Sequence, residues 1–159
     1  MGNPTTPSKN DSINVRASAI VLEQDRVLFL RYSYPRGTVF CFPGGGLHVG
    51  ETLAAALRRE LREELSIDVE VDQLAYLGDM LATPHYPQTV HVVFRARIVG
   101  GRPVLNPQFT TAREAVWLPI DGLAGKNLYP AINAALIADL SVGEIQSRYL
   151  GDCLQRSWM

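Results

Sequence analysis

Three carboxylates, Glu60, Glu63 and Glu64, stand at helical spacing in the stretch Gly45 to Ile67, GGLHVGETLAAALRRELREELSI. At about 100° per residue they fall within roughly a third of a helix circumference, where like charges repel. Such a cluster is stable if the face is well solvated or if a cation sits on it. The plain reading is a wet helix face balanced by Arg58, Arg59 and Arg62, since charge runs are usually solvated faces. Two features argue for the cation. The acids are segregated from most of the arginines, and a glycine-rich turn, Gly44-Gly45-Gly46, lies just upstream. Clustered carboxylate oxygens suit a hard divalent ion such as Mg²⁺, which keeps several waters and completes its shell with substrate phosphates. With no His or Cys among them they do not suit a structural zinc. Exposed backbone at the glycines can offer a carbonyl to a metal or amides to a phosphate. The chemistry predicted is that of a metal-bound polyphosphate.

The elements that must position these groups are read from pattern. Val15–Leu22 and Arg26–Tyr32 are predicted strands joined by a turn at Glu23-Gln24-Asp25, forming a hairpin. A short apolar piece, Thr38 to Phe42, runs into Pro43 and the three glycines, which are expected to form an irregular turn and not a strand. Thr52 is a helix cap, and Leu53, Leu57, Leu61 and Leu65 form the buried stripe of the helix that follows. Ile67–Leu77 reads as a strand. A proline-rich loop around Pro84 to Pro87 leads to a strand in which Val90, Val92, Phe94, Ala96 and Ile98 face one way and His91, Arg95 and Arg97 the other. Gly100-Gly101 is read as a hairpin signal, Glu114–Leu118 as a further strand, and Ile132–Leu140, opened by Pro130, as a second helix. Strands before and after a central helix give an α+β class, a sandwich around a mixed sheet.

The chain of 159 residues holds one domain with a real core. Residues 1–12 read as a disordered leader, 13–140 as the domain, and 141–159 as a C-terminal extension packing on or near it. A net charge of −1 provides no field for nucleic acid or an anionic membrane, so neither is expected as a partner. Cys41 and Cys153 are too few for a disulfide framework, and no apolar run is long enough to span a bilayer. A cytoplasmic protein with free thiols is expected.

Gly45, five residues, Glu51, seven residues, then Arg59-Glu60-Leu61-Arg62-Glu63-Glu64 resembles the signature of the Nudix hydrolases. Ser66 stands where that signature usually has a glycine. A left-handed helix stop is easiest without a β-carbon, so serine there weakens the cap at a cost on the order of 1 kcal/mol and removes no carboxylate. The resemblance extends over about residues 15 to 140. It implies an α/β/α sandwich with a central mixed sheet, Mg²⁺ or Mn²⁺ as cofactor, and water attack on a phosphoanhydride of a nucleoside diphosphate derivative. The substrate would be a small nucleotide-derived molecule: a nucleotide sugar, ADP-ribose, a dinucleoside polyphosphate or a (d)NTP.

By position Glu60, Glu63 and Glu64 match the metal-binding acids, with the Gly44 carbonyl as a further ligand and Glu60 or Glu63 as acceptor of the water proton. Arg59 would fix a carboxylate by a charge-assisted hydrogen bond, and Glu51 would order the turn. Substrate contacts are assigned to Arg31, Phe42, Tyr86 and Glu114. Tyr34 and Trp117 are further stacking candidates, and Arg16, Arg95 and Arg97 could reach phosphates from strand faces. A Nudix-fold sensor that binds a nucleotide without cleaving it is the alternative, and a homodimer is left open. An isomerase acting on an isoprenoid diphosphate would need Cys41 opposite an extra acid.

Overall fold

The computed structural model describes residues 12–153. The expected leader thus lies outside the described residues except for Ser12, as do residues 154–159 of the C-terminal segment. Strand β1 (Ile13–Glu23) turns at Gln24, which has φ 56°, into β2 (Arg26–Tyr34). The two strands pair only at the closed end, Leu22 with Val27 and Glu23 with Arg26, and then part company. Each finds other neighbours. On one side β1 pairs in parallel with β6 (Gln88–Gly100), which pairs with β5 (Asp68–Met80), which takes β9 (Arg148–Asp152) as a parallel edge strand. On the other side β2 pairs with β3 (Gly37–Cys41) and β7 (Glu114–Pro119), and β3 carries the short β8 (Leu128–Tyr129). The sheet is mixed.

Alternation along β1 and β2 divides the core in two. Ala17, Ala19, Val21, Leu28 and Leu30 pack against Leu57, Leu61 and Leu65 of helix α1 (Leu53–Leu65). Ile20, Val27 and Phe29 face the opposite way, toward Ile132 and Leu136 at helix α2 (Asn133–Ser141). One helix on each face makes the α/β/α sandwich of an α+β fold. Leu57, Leu61 and Leu65 are fully buried, each worth about 1.5–3 kcal/mol of transfer free energy, whereas Leu53 at the start of the stripe is only half-buried. Thr52 caps α1 by accepting from the Ala55 amide, and Ser66 ends it at φ 57°, ψ 33°, in the left-handed region.

Three expectations are corrected. The triple glycine does form a strand, β4 (Gly44–Gly46), antiparallel to the first half of β1. Only glycine can be this close, because a Cβ on Gly44 would lie 2.2 Å from the Ala17 carbonyl oxygen. Gly100-Gly101 is not a hairpin turn. It sends the chain back along the end of α1, where Val104 and Asn106 amides donate to the Leu65 and Glu64 carbonyls and satisfy orphan helix acceptors. His91 is not on a wet face, being 1% exposed, with Tyr129 of β8 packed edge-on against it. No helix among the described residues is long and apolar enough to cross a membrane.

Candidate active site

The acids of α1 are organised by one guanidinium. Arg59 grips both oxygens of Glu51, with Nε at 3.2 Å and Nη2 at 2.8 Å. Its Nη1 donates to Glu60 at 2.8 Å and to Glu63 at 3.1 Å, and Nη2 also donates to the Gly46 carbonyl at 3.0 Å. The i,i+1 and i,i+4 offsets from Arg59 put both helix acids within reach, and the turn after β4 brings in Glu51. Glu51 also accepts from the His48 amide at 2.8 Å, so it braces the turn that enters the helix, and Arg59 holds its carboxyl down at about 2.

Glu64 lies on the inner edge of the same helix and is 6% exposed. Its Oε2 accepts from the Gly44 amide at 3.1 Å. Burial raises its pKa to about 7, against the opposing pull of the Gly44 hydrogen bond and of Arg16. Glu60 lies so close to β4 that a Cβ on Gly45 would sit 2.1 Å from its carboxyl carbon. Glycine at 44 and 45 thus lets β4 fit between β1 and the acids.

Among the described residues no three His, Cys, Asp or Glu side chains are gathered closely enough to hold an ion as they stand. Arg59 Nη1 lies between Glu60 and Glu63. The donor set nevertheless fits a hard dication. Glu51, Glu60 and Glu63 share a single guanidinium, and the buried Glu64 has no ion-pair partner among the described residues, so negative charge is in excess. Oxygen is the only ligand type offered, which suits Mg²⁺ or Mn²⁺.

The substrate candidates scatter. Arg31 and Glu114 are cross-strand neighbours joined at 2.7 Å. By alternation in β2 they lie on the sheet face away from α1, because Leu28, Leu30 and Tyr32 face the helix. Phe42 is fully buried against Phe29, ring centroids 4.7 Å apart, and is not available for stacking. Tyr86 does reach a cleft, 40% exposed. Trp117 packs beside the α1 core.

That cleft is where β1 and β2 diverge. It is a cavity of about 340 Å³ lined by Arg16, Tyr32, Tyr34, Cys41, Tyr86 and Tyr129. No acid lines that cavity opposite Cys41, and burial lifts its thiol to about 12, against the isomerase reading. Thr110 joins the cleft to the acids: its hydroxyl is 2.9 Å from the Tyr32 hydroxyl, and Tyr32, Thr110 and Glu64 line one cavity. Thr110 and Tyr129 were not foreseen, because neither belongs to a local pattern. Tyr32 had only the alternation of β2 as a signal.

A family description, the NUDIX domain, matches residues 13–140, and the chain belongs to that family. Among curated proteins it is similar to the NAD-capped RNA hydrolase NudC of Vibrio atlanticus (strain LGP32), 27% identical over 103 residues, 65% of this chain and 36% of that protein. The match to the NudC of Vibrio parahaemolyticus serotype O3:K6 is 26% over 132 residues, 83% of this chain and 46% of the relative. The chain spans less than half the length of these relatives. Among solved structures, a MutT NUDIX hydrolase from Burkholderia pseudomallei superposes with a TM-score of 0.67 at 22% identity, covering 80% of this chain and 97% of that one. A UDP-X diphosphatase gives 0.68 at 18%, covering 94% and 70%. At these identities the likeness is one of fold.

Proposed function

We propose that the protein is a divalent-cation-dependent pyrophosphohydrolase that cleaves a phosphoanhydride in a nucleoside diphosphate derivative. The observation that carries the reading is the Arg59 cluster: one guanidinium holding Glu51, Glu60 and Glu63 beside a buried Glu64 that has no ion pair among the described residues. Family membership supports it, as do relatives whose names describe hydrolysis of an NAD cap and of a UDP derivative.

Glu60, Glu63 and Glu64 would hold the cation, Mg²⁺ or Mn²⁺, with the Gly44 carbonyl as a further ligand. When bound, that ion supplies neutralisation of the bridging phosphates and a bound water of lowered pKa. Arg59 orients Glu60 and Glu63 through charge-assisted hydrogen bonds. The Gly44 amide fixes the rotamer of Glu64. Glu60 or Glu63, both partly exposed, takes the proton of the attacking water.

The test is incubation with Mg²⁺ or Mn²⁺ and a panel of nucleotide sugars, dinucleoside polyphosphates, ADP-ribose and (d)NTPs, with products identified by mass and labelled water locating the attacked phosphorus. Cation-dependent cleavage of at least one class is expected. Glu63→Gln and Glu64→Gln should each lose more than about a hundredfold in turnover, beyond what loss of an outer partner costs. Full activity in either variant, or tight nucleotide binding with no cleavage by the parent protein, overturns the reading. The second outcome is the behaviour of a sensor.

A further inference from the structure

Arg16 is an arginine with too little to do. It is half-buried, it has no carboxylate within salt-bridge distance among the described residues, and its Nε is buried without a hydrogen-bond partner. Among the described residues its one hydrogen bond is long, 3.4 Å from Nη2 to the Phe42 carbonyl. The guanidinium lies 5.8 Å from the centre of the Tyr129 ring. A buried guanidinium is normally satisfied by acceptors, so the cleft it lines invites a ligand that accepts hydrogen bonds.

The walls say what shape that ligand has. Tyr32 and Tyr34 present near-parallel rings, 15° apart with centroids at 6.2 Å, and Tyr86 approaches from the loop before β6. Aromatic walls receive a flat ring, and stacking is indifferent to which base it is. The cleft also has a neighbour on the side of the acid site. Arg16 and Tyr129 line a second cavity of about 450 Å³ that includes Gly46, and Gly46 is the residue whose carbonyl receives Arg59.

We infer that this cleft is the base subsite and that Arg16 makes it selective for a 6-oxopurine, guanine or hypoxanthine, over adenine, an inference that rests on the pyrophosphohydrolase reading. A planar guanidinium fork pairs with two adjacent acceptors. The O6 and N7 atoms of a 6-oxopurine provide them, whereas adenine sets an N6 amino donor beside N7 and offers the fork one acceptor and one repulsion. Pyrimidines present a single carbonyl to the same fork. A phosphate suits the cleft poorly: burial pushes the Tyr32 and Tyr129 phenols and the Cys41 thiol up to about 12, a setting hostile to anions. One guanidinium does not offset desolvation of a diphosphate.

Calorimetric titration of the full chain with GMP, IMP and AMP in the presence of Mg²⁺ tests the subsite without requiring turnover. GMP and IMP should bind about tenfold or more tighter than AMP, the discrimination of a bidentate arginine–base pair. Arg16→Lys keeps the charge and loses the fork, so it should bring GMP and AMP to within about twofold. Arg16→Met should do the same, with circular dichroism confirming that it is folded. Tyr86→Ala should weaken all three alike. AMP binding as tightly as GMP, no binding of GMP, or an equal loss for GMP and AMP in Arg16→Lys, the mark of a phosphate contact, each overturns the inference. Hydrolysis is read separately. Cleavage of guanine and adenine derivatives at the same kcat/KM overturns the base assignment and leaves the hydrolase standing. GMP selectivity with no cleavage of any diphosphate derivative overturns the hydrolase and leaves the subsite.

Discussion

The acid helix and the tyrosine cleft lie side by side and are built in opposite ways. Around Arg59 every nitrogen of the guanidinium has an acceptor within 3.2 Å, and the partners come from Gly46 to Glu63, a single stretch of chain. Around Arg16 the hydrogen bonding is sparse, and the walls come from β1, β2, β3, the loop before β6 and β8. The first region is already organised for one kind of chemistry, whereas the second leaves donors unused for whatever enters. A fold that hosts many substrates can vary the second without disturbing the first.

The acid helix buries Glu64 and the cleft side buries His91, which packs on Tyr129, and these two groups respond to pH in opposite senses. Burial raises Glu64 from its usual 4.5 to about 7. Its neutral form is favoured in the folded state, so stability is full below about 4.5 and declines as pH rises toward 7. Burial, helped by Arg16 and opposed by Asp79, lowers His91 from 6.5 to about 4. Its contribution is full above 6.5 and declines as pH falls toward 4. Without added cation the two limbs overlap and largely cancel between about 4.5 and 6.5, so their summed contribution falls only outside that window.

The largest test of this contrast is Glu64→Gln. At pH 8 without a divalent cation it should stabilise the fold by up to about 3 kcal/mol, the value of the shift, while losing turnover. Chemical denaturation of both proteins at pH 5 and pH 8 checks it, since the gain should shrink to under about 1 kcal/mol at pH 5. Added Mg²⁺ should raise the Tm of the parent more at pH 8 than at pH 5. On the cleft side, His91→Phe should remove the acid limb between pH 6.5 and 4, worth up to about 3 kcal/mol, and leave the alkaline limb unchanged. An acid limb that persists would place its origin elsewhere.

Arg59→Met sharpens the comparison from the catalytic side. It frees three carboxylates at once and should lower kcat by about 10- to 100-fold, as loss of an orienting partner does, while the ratio of KM values for guanine and adenine substrates stays fixed. The smallest effect is expected at the helix end. Ser66 holds φ 57°, so Ser66→Gly should stabilise by no more than about 1 kcal/mol with kcat unaltered, read as a shift in denaturation midpoint.

How far each region was readable follows from the same difference. The contacts among Glu60, Glu63 and Arg59 are fixed by 3.6 residues per turn, so the spacing in the chain is already the geometry of the cluster. The leucine stripe, the Thr52 cap and the Ser66 stop were legible for the same reason. The glycine run misled, because glycine is a poor strand former on its own account and becomes one here only through the close approach of β1. Phe42 and Arg31 had the right chemistry for substrate contacts, but alternation turned one into the core and the other to the far face.

Helical neighbours, caps and the excess of negative charge follow from chain order, because hydrogen bonds within a helix join residues four apart and leave side chains little choice of face. The cleft needed the sheet. Arg16 lies opposite His91 only through a parallel pairing of β1 with β6, and Tyr32 meets Thr110 across 78 residues. Pairings of that range carry no local periodicity to reveal them. The parting of β1 from β2 after two residue pairs, which opens the cleft, depends on which strand each next finds as a neighbour.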